Sequence, residues 1–315
     1  MRTQVTFTRQ TGLTLLELVV SLLVMTILTS VAITSVSGIQ EQARYEKTVR
    51  LLEEFRKAIV GDDDWSKGIR AYAFDMGTLP PNLRALIVPQ SPAWRIVTVN
   101  AGTDSQFYMG RGWRGPYLYA SSSPDDPDAL RDSWGGVTNP TYDNDQYYGW
   151  VVSPLSPTTS MRIESYGSDS QDGPSNNCGQ DTSYQDDCLI DITENTWKVS
   201  LPQITLHFLD TTTTTALTNV TTCLQVYYRS PAVALGVVSV TSDPTPLAVT
   251  SKPQYRSPPF NFSAGPSVPA GQNYIALFRC NSLGVITNLN NIYPSGRRPL
   301  AVDMRPGSTI PVIDW

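Results

Sequence analysis

The N-terminal part of the chain carries one long run of apolar side chains. From Leu13 to Val36 there are 24 residues and a single charged side chain, Glu17. A helix of that length rises about 36 Å, enough to cross a ~30 Å hydrocarbon layer, so the run predicts a transmembrane helix. A lone carboxylate inside such a helix costs about 2.5 kcal/mol or more, which points to a partner for Glu17.

The helical pattern continues beyond this run. From Gly38 to Val60, apolar residues recur every three or four positions and opposite charges are spaced for pairing on the helix surface. Gly61 and three successive aspartates, residues 62–64, end the pattern. It predicts one helix over residues 13–60, of which residues 13–36 are apolar.

Short β-type runs separated by turn residues fill the rest of the chain. Residues 61–197 predict a head with short antiparallel strands on the helix, and residues 198–315 predict an all-β, sandwich-like domain. The predicted fold class is therefore α+β. A long N-terminal transmembrane and amphipathic helix packs on a small antiparallel sheet, with an acidic loop and an appended C-terminal β domain.

Charge is distributed unevenly along the 315 residues. Residues 198–315 hold eight Lys or Arg and four Asp, which leaves 15 basic and 24 acidic residues of the total 23 and 28 for the remainder. No basic cluster is interleaved with aromatics, so we expect no nucleic-acid partner. Arg2 and Arg9, before the apolar run, predict a cytoplasmic N-terminus and an exported remainder.

The cysteines predict disulfides. All of them follow the apolar run, at Cys178, Cys188, Cys223 and Cys280, and no pair has metal-ligand spacing. Four cysteines allow three disulfide connectivities. We favour Cys178 with Cys188 and Cys223 with Cys280, because each pair then stays within one predicted unit.

Catalysis finds little support in the sequence. His207 is the only histidine, and its strand pattern places it opposite the apolar face, so no Ser-His-Asp relay is evident. A carboxylate pair of the glycosidase type stays open, because separation in space is not visible in sequence. We predict that the chain is not an enzyme.

The start of the apolar run resembles the processing signal of type IV pilins and type II secretion pseudopilins. Gly12 precedes Leu13, and Glu17 would be the fifth residue after a cut between them. The resemblance implies that a prepilin peptidase removes residues 1–12 and methylates Leu13. It also implies that Glu17 pairs with the N-terminal amine of a neighbouring subunit during filament assembly.

Further motifs resemble the major pseudopilin of type II secretion over residues 12–197. They are Tyr72, Asp75, Gly77, Pro80, residues 113–118, residues 132–135 and residues 165–169. Relative to that family, the chain has insertions near Asp62 and between Ala93 and Gly110. The resemblance implies a single-pass bacterial inner-membrane protein with a periplasmic head. Its partners would be identical or related subunits, the peptidase and an inner-membrane assembly platform.

An acidic segment closes the region of resemblance. Residues 164–197 hold eight Asp or Glu and no Lys or Arg. Calcium prefers such oxygen ligands and would relieve their repulsion, so we expect a calcium site. The resemblance implies Asp169 with Asp187 or Asp191 as the main ligands, and Ser165 and Asp172 as further ones. The alternative is a solvated loop closed only by a disulfide.

The combined prediction is a pilin-like structural subunit whose filament drives protein export. One alternative is a minor or tip subunit of a pilus with an adhesive C-terminal domain. Another is a membrane-anchored extracytoplasmic binding protein or enzyme. A third interpretation takes the N-terminus as an ordinary secretory signal, with residues 30–32 as its cleavage site.

Overall fold

The computed structural model describes most of the chain in separate stretches. They are residues 14–62, 70–100, 106–118, 130–135, 147–155, 159–173, 184, 186–201, 203–204, 206–209, 218–230, 237–248, 254–256, 259–262, 267–283, 285–292, 299–306 and 313–314.

One long helix, α1, runs from Leu15 to Val60. Thr14 is its N-cap, and the side chain of Thr14 accepts a hydrogen bond from the Glu17 amide. The helix ends at Gly61, which has a φ of 85° and donates its amide to the Lys57 carbonyl. Both ends thus follow from local sequence, because a hydroxyl at the N-cap and a glycine past the last turn satisfy terminal backbone groups.

Three short helices and five strands complete the first two thirds of the described chain. The helices are α2 (Tyr72–Met76), a 3-10 helix (Leu83–Leu86) and α3 (Glu194–Trp197). The strands are β1 (Arg95–Asn100), β2 (Gln106–Arg111), β3 (Val151–Leu155), β4 (Ser160–Ser165) and β5 (Cys188–Ile192). Strands β1 and β2 form an antiparallel hairpin, and β3, β4 and β5 form an antiparallel sheet in chain order.

The rest of the described chain is built from strands. They are β6 (Lys198–Ser200), β7 (Gln203–Ile204), β8 (Leu206–Leu209), β9 (Thr218–Arg229), β10 (Val237–Thr241), β11 (Thr245–Ala248), β12 (Gln254–Arg256), β13 (Phe260–Asn261), β14 (Ser267–Pro269), β15 (Gly271–Cys280), β16 (Ile286–Ile292), β17 (Leu300–Met304) and β18 (Ile313–Asp314). The main sheet has the order β10-β9-β15-β16, with β11 also on β9 and β17 also on β15. In the smaller sheets, β8 pairs with both β12 and β18, β13 pairs with β7, and β14 pairs with β6.

A single hydrophobic core joins the two predicted units. It contains Phe55 and Ile59 of α1, Trp150 of the head, and Val226 and Ile275 of the main sheet, all fully buried. The C-terminal strands therefore pack on the same core as α1.

A second, smaller cluster covers the opposite face of the main sheet. Phe107 and Met109 of the β1–β2 hairpin pack there on Tyr227, Ala276 and Phe278. Residue alternation along β9 and β15 divides the sheet's side chains between the two clusters. The β1–β2 hairpin and the C-terminal strands therefore form one packed unit.

A buried group of charges lies where α2, β2 and β9 meet. Arg229 donates from Nε to the Gly110 carbonyl at 2.7 Å and from Nη1 to the Phe74 carbonyl at 2.8 Å. Asp75 lies beside it and accepts from the Tyr117 hydroxyl at 3.1 Å. Gly77, with a φ of 74°, leaves space for the Arg229 carbonyl, which a Cβ at this position would meet at 2.5 Å.

The predicted fold class is wrong. More of the structure is strand than helix, and the expected arrangement of a transmembrane helix packed on a small sheet is not observed. Within the described residues, no helix is both long enough and apolar enough to span a membrane. This finding contradicts the predicted location as a single-pass inner-membrane protein with a periplasmic head. The predictions of a transmembrane segment and a periplasmic domain are therefore wrong.

Apolar and polar side chains occupy different parts of α1. Its described apolar side chains extend from Leu15 to Ser30. The side chains of residues 31–35 lie outside the described set, and from Gly38 onward the same helix is polar and charged.

The cysteines are oxidised. Cys223 of β9 and Cys280 of β15 form a disulfide across two neighbouring strands, with a Cα–Cα distance of 5.9 Å. Cys188, at the start of β5, is also disulfide-bonded. Cys178 lies outside the described residues.

Removing the Cys223–Cys280 bond should destabilise the protein. The disulfide closes a loop with a sequence separation of 57 residues, so the C223A/C280A variant should lose about 2–4 kcal/mol in the free energy of unfolding. Urea denaturation of the full-length protein measures this loss. An unchanged transition midpoint would contradict the prediction.

Candidate functional site

The first part of α1 presents apolar side chains on all sides. Eleven of them, between Leu15 and Leu28, are 48% to 83% exposed. We call residues 15–30 the apolar arm. A contiguous exposed apolar surface of this kind marks a contact site, because soluble monomers rarely leave one uncovered.

Polar side chains in the apolar arm bond back to its own backbone. The Ser21 hydroxyl donates to the Glu17 carbonyl at 2.7 Å, and the Thr29 hydroxyl donates to the Met25 carbonyl at 2.7 Å. The Thr26 hydroxyl donates to the Leu23 carbonyl at 2.8 Å. These hydroxyls are satisfied within the helix, so the outer surface of the arm offers mainly dispersion contacts.

Glu17 lies in the first turn of α1, three residues after the N-cap. Its amide donates to the Thr14 hydroxyl at 3.3 Å. Thr14 and Glu17 have the spacing of a capping box, in which an acid also favours the positive end of the helix dipole. The sequence analysis missed this local role for Glu17. Gly12 and Leu13, the predicted processing residues, lie outside the described residues.

The acidic loop leaves the sheet at the end of β4 and returns at the start of β5. Ser165 and Cys188 are paired across these strands, which brings the two ends of the loop together. Within the loop, the Ser168 amide donates to the Tyr184 carbonyl at 2.9 Å. Ser170 and Tyr184 both have a φ of 55°, which matches the tight turns that the loop requires.

Asp187 is the buried carboxylate of this loop, with an exposed fraction of 0%. Its Oδ2 accepts from the Gly173 amide at 2.9 Å, and its Oδ1 has no hydrogen-bond partner within the residues that the structure describes. Burial raises the pKa of Asp187, and the nearby carboxylates of Asp172, Asp169 and Asp186 raise it further. A buried carboxylate oxygen without a partner costs free energy, and a cation at this oxygen would offset that cost.

The other predicted ligands divide into two groups. Asp169 and Asp172 lie near enough to Asp187 to affect its ionisation. Asp191 instead binds Arg162 through both carboxylate oxygens, at 2.7 and 2.9 Å, on the outer side of β5. The Ser165 hydroxyl donates to Asp132 at 3.0 Å and accepts from the Gly167 amide of the loop at 3.4 Å, so it is engaged by protein groups.

Within the described residues, the acidic loop does not form a complete cation site. Among them, no three His, Cys, Asp or Glu side chains converge closely enough to hold a metal ion by themselves. Glu164 is one further acid that the sequence analysis did not single out. It is buried, and burial together with Asp187 raises its pKa.

A second buried carboxylate, Asp132, connects α1 to the sheet. It accepts from the Ser165 hydroxyl at 3.0 Å and from the Thr48 hydroxyl of α1 at 3.2 Å. Burial raises the pKa of Asp132 to about 6, although these hydroxyls and the Ser133 and Trp134 amides lower it. This contact could not be predicted from the sequence, because 84 residues separate Thr48 from Asp132.

Aromatic side chains hold the acidic loop against α1. The Tyr184 ring lies 5.6 Å from the Tyr45 ring of α1 and 6.3 Å from the Trp134 ring, measured between centroids. Tyr184 is three residues before Asp187 in the chain. The conformation of the loop and its packing on α1 are therefore linked.

Comparison with known proteins adds no relative. No family model, curated protein or solved structure matches this chain. The comparisons therefore do not support assigning the chain to the pilins or to a secretion system.

The buried Asp132 makes stability depend on pH. Its pKa is about 6 in the folded protein and 3.8 ordinarily, so the folded state binds more protons between pH 4 and 6. The free energy of unfolding should therefore fall as pH rises through this window, by about 3 kcal/mol from this residue.

Urea denaturation at pH 4.5 and pH 7 measures this difference. Asp132→Asn should flatten the pH dependence, because the amide does not ionise, whereas Asp191→Asn, at an exposed ion pair, should leave it unchanged. An equal pH dependence in wild type and Asp132→Asn would contradict the assignment.

Proposed function

We propose that this chain is a structural subunit of a pilin-like filament that assembles through its N-terminal helix. The observation that carries the proposal is the apolar arm, which is exposed on all sides, whereas one face of the last part of α1, residues 48–60, is buried in the core. Packing of arms from neighbouring subunits would remove this surface from water. The burial would favour assembly by about 25 cal/mol for each Å² covered.

The position of Glu17 supports a role in assembly beyond helix capping. It is the only charged side chain of the apolar arm, so a neighbouring arm would meet it in otherwise apolar surroundings. A carboxylate in such surroundings needs a cationic partner. The N-terminal amine of an adjacent subunit, created by cleavage between Gly12 and Leu13, would provide one. The proposed partners are therefore identical or related subunits and a prepilin peptidase.

The resemblance to pseudopilins supports the further proposal that the filament acts in protein export. The arm and the folded head have separate tasks in this proposal. The arm forms the filament core, and the head, with the C-terminal strands packed on it, forms the outer surface. The role is structural.

Calcium binding at the acidic loop is the second part of the proposal. Asp187 would hold the ion through its unpartnered Oδ1, and Asp169 and Asp172 would add ligands. The ion would offset the repulsion among these carboxylates. Because Tyr184 packs between Tyr45 and Trp134, ordering this loop would also support the packing of the loop on α1.

Two substitutions at Glu17 separate assembly from capping. Glu17→Gln keeps a capping-box side chain but removes the charge, and Glu17→Ala removes both. We expect both variants to fail to form filaments, because neither can pair with a neighbouring amine. Glu41→Gln, at an exposed position beyond the arm, is the matched control and should assemble normally.

Pelleting by ultracentrifugation and negative-stain electron microscopy of the full-length protein measure assembly. Circular dichroism and thermal unfolding confirm that the head remains folded. Filaments of Glu17→Gln equal in yield to wild type would show that Glu17 acts only as a capping residue.

Calcium should raise the melting temperature of the full-length protein. At 100 times its Kd the ion contributes about 2.7 kcal/mol, which corresponds to a shift of roughly 5 °C or more. Asp187→Asn should abolish the shift, whereas Asp191→Asn should retain it, since Asp191 is occupied by Arg162. Differential scanning calorimetry in calcium and in EDTA provides the measurement.

The two variants decide between a metal site and a solvated loop. No calcium shift in the wild type would exclude the site. An equal loss of the shift in Asp191→Asn would mean that the ion lies nearer to β5 than proposed.

A further inference from the structure

Two arginines face each other at the base of the β1–β2 hairpin. Arg95 and Arg111 are direct cross-strand partners, so their Cβ atoms are about 4.5–5.5 Å apart. Residue alternation places both on the same face as the buried Val97 and Met109, toward the main sheet. Arg95 is exposed and Arg111 is buried, so the chain holds two like charges side by side at the base of the hairpin, one of them shielded from water.

Arg111 is enclosed there without a partner. Its exposed fraction is 7%, and its Nε has no hydrogen-bond acceptor within the part of the chain that the structure describes. Burial lowers the pKa of Arg111, and the charge of Arg95 lowers it further. An unpaired buried guanidinium opposite a second one is destabilising, unless an anion lies between or beside them.

Two further arginines lie near this end of the hairpin. Arg229 reaches the Gly110 carbonyl, next to Arg111, and Arg114 lies three residues further along the chain. Asp75 neutralises charge beside Arg114 and Arg229, and its Oδ2 lies 3.3 Å from the Arg114 Nε. Among the described residues, no carboxylate forms an ion pair with Arg95 or Arg111.

We propose that Arg95 and Arg111 bind a small oxyanion, a phosphate or a carboxylate group, at the base of the hairpin. A guanidinium offers parallel N–H donors that match two oxygens of such a group. Two guanidinium groups on neighbouring strands can contact one anion from two sides. The anion would relieve the repulsion between the arginines and attach the hairpin more firmly to the main sheet.

Thermal unfolding of the full-length protein in different anions tests the site. Sodium phosphate should raise the melting temperature by about 3 °C at ten times its Kd, relative to sodium chloride of equal ionic strength. Sodium acetate, in a parallel series, distinguishes a carboxylate ligand from a phosphate ligand. Isothermal titration calorimetry with phosphate and acetate should give one site per chain.

Variants of each arginine link the effect to this pair. Arg111→Met and Arg95→Met should each abolish the anion-dependent shift. In chloride, Arg111→Met should be at least as stable as the wild type, since an unpaired buried charge is removed. Arg279→Met, at an exposed arginine of β15, is the control and should keep the shift.

Three results would overturn the proposal. The first is the absence of a shift in both anions. The second is an equal shift in Arg111→Met, which would show a general salt effect. The third is a large destabilisation of Arg111→Met in chloride without any anion effect, which would show that Arg111 pairs with an acidic group of this chain.

Discussion

Burial of the second half of α1 is the constraint on which the rest of the structure depends. Phe55 and Ile59 are fully buried, and the edge of the Phe55 ring meets Trp150 at a centroid distance of 5.2 Å. Trp150 in turn donates its indole N–H to the Leu130 carbonyl at 2.8 Å. One face of the last turns of α1 is thus fixed in the core, and the same helix continues toward its N-terminus as the apolar arm.

Three of the four buried carboxylates in the described residues are accommodated in different ways. Asp75 has arginines and a tyrosine hydroxyl beside it, and Asp132 has two hydroxyls and backbone amides. Asp187 accepts from the Gly173 amide, and its second oxygen has no partner among the described residues. This difference is the physical argument for a cation at the acidic loop, since Asp75 and Asp132 have several donors or cations beside them.

Local features of the fold were readable from the sequence to a considerable extent. The end of α1 at Gly61 follows from glycine's ability to adopt positive φ, and the apolar runs around Val226 and Ile275 indicate the central strands β9 and β15. Periodicity reports which face of an element is buried, but it does not report what covers that face. The core shared by α1 and the C-terminal strands was therefore not predicted.

In the candidate sites, too, local features were predictable from the sequence, whereas contacts between distant residues were not. The density of acids in the loop was visible in the sequence, but the pairing of Asp191 with Arg162 depends on strand register, which the sequence did not specify. The unpartnered state of Arg111 and the Asp132 contact with α1 arise from residues distant in the chain. Thr14 and Glu17 formed the one local signal that could have been recognised, because the capping-box spacing is a sequence motif.

The main sheet is packed on both sides, by the large core on one face and by the β1–β2 hairpin on the other. In the part of the chain that the structure describes, its two central strands are therefore covered on both faces. Recognition through this sheet would take place at its margins or at the turns joining its strands. New specificity could thus arise there by changes in the turns, without disturbing the side chains that hold the subunit together.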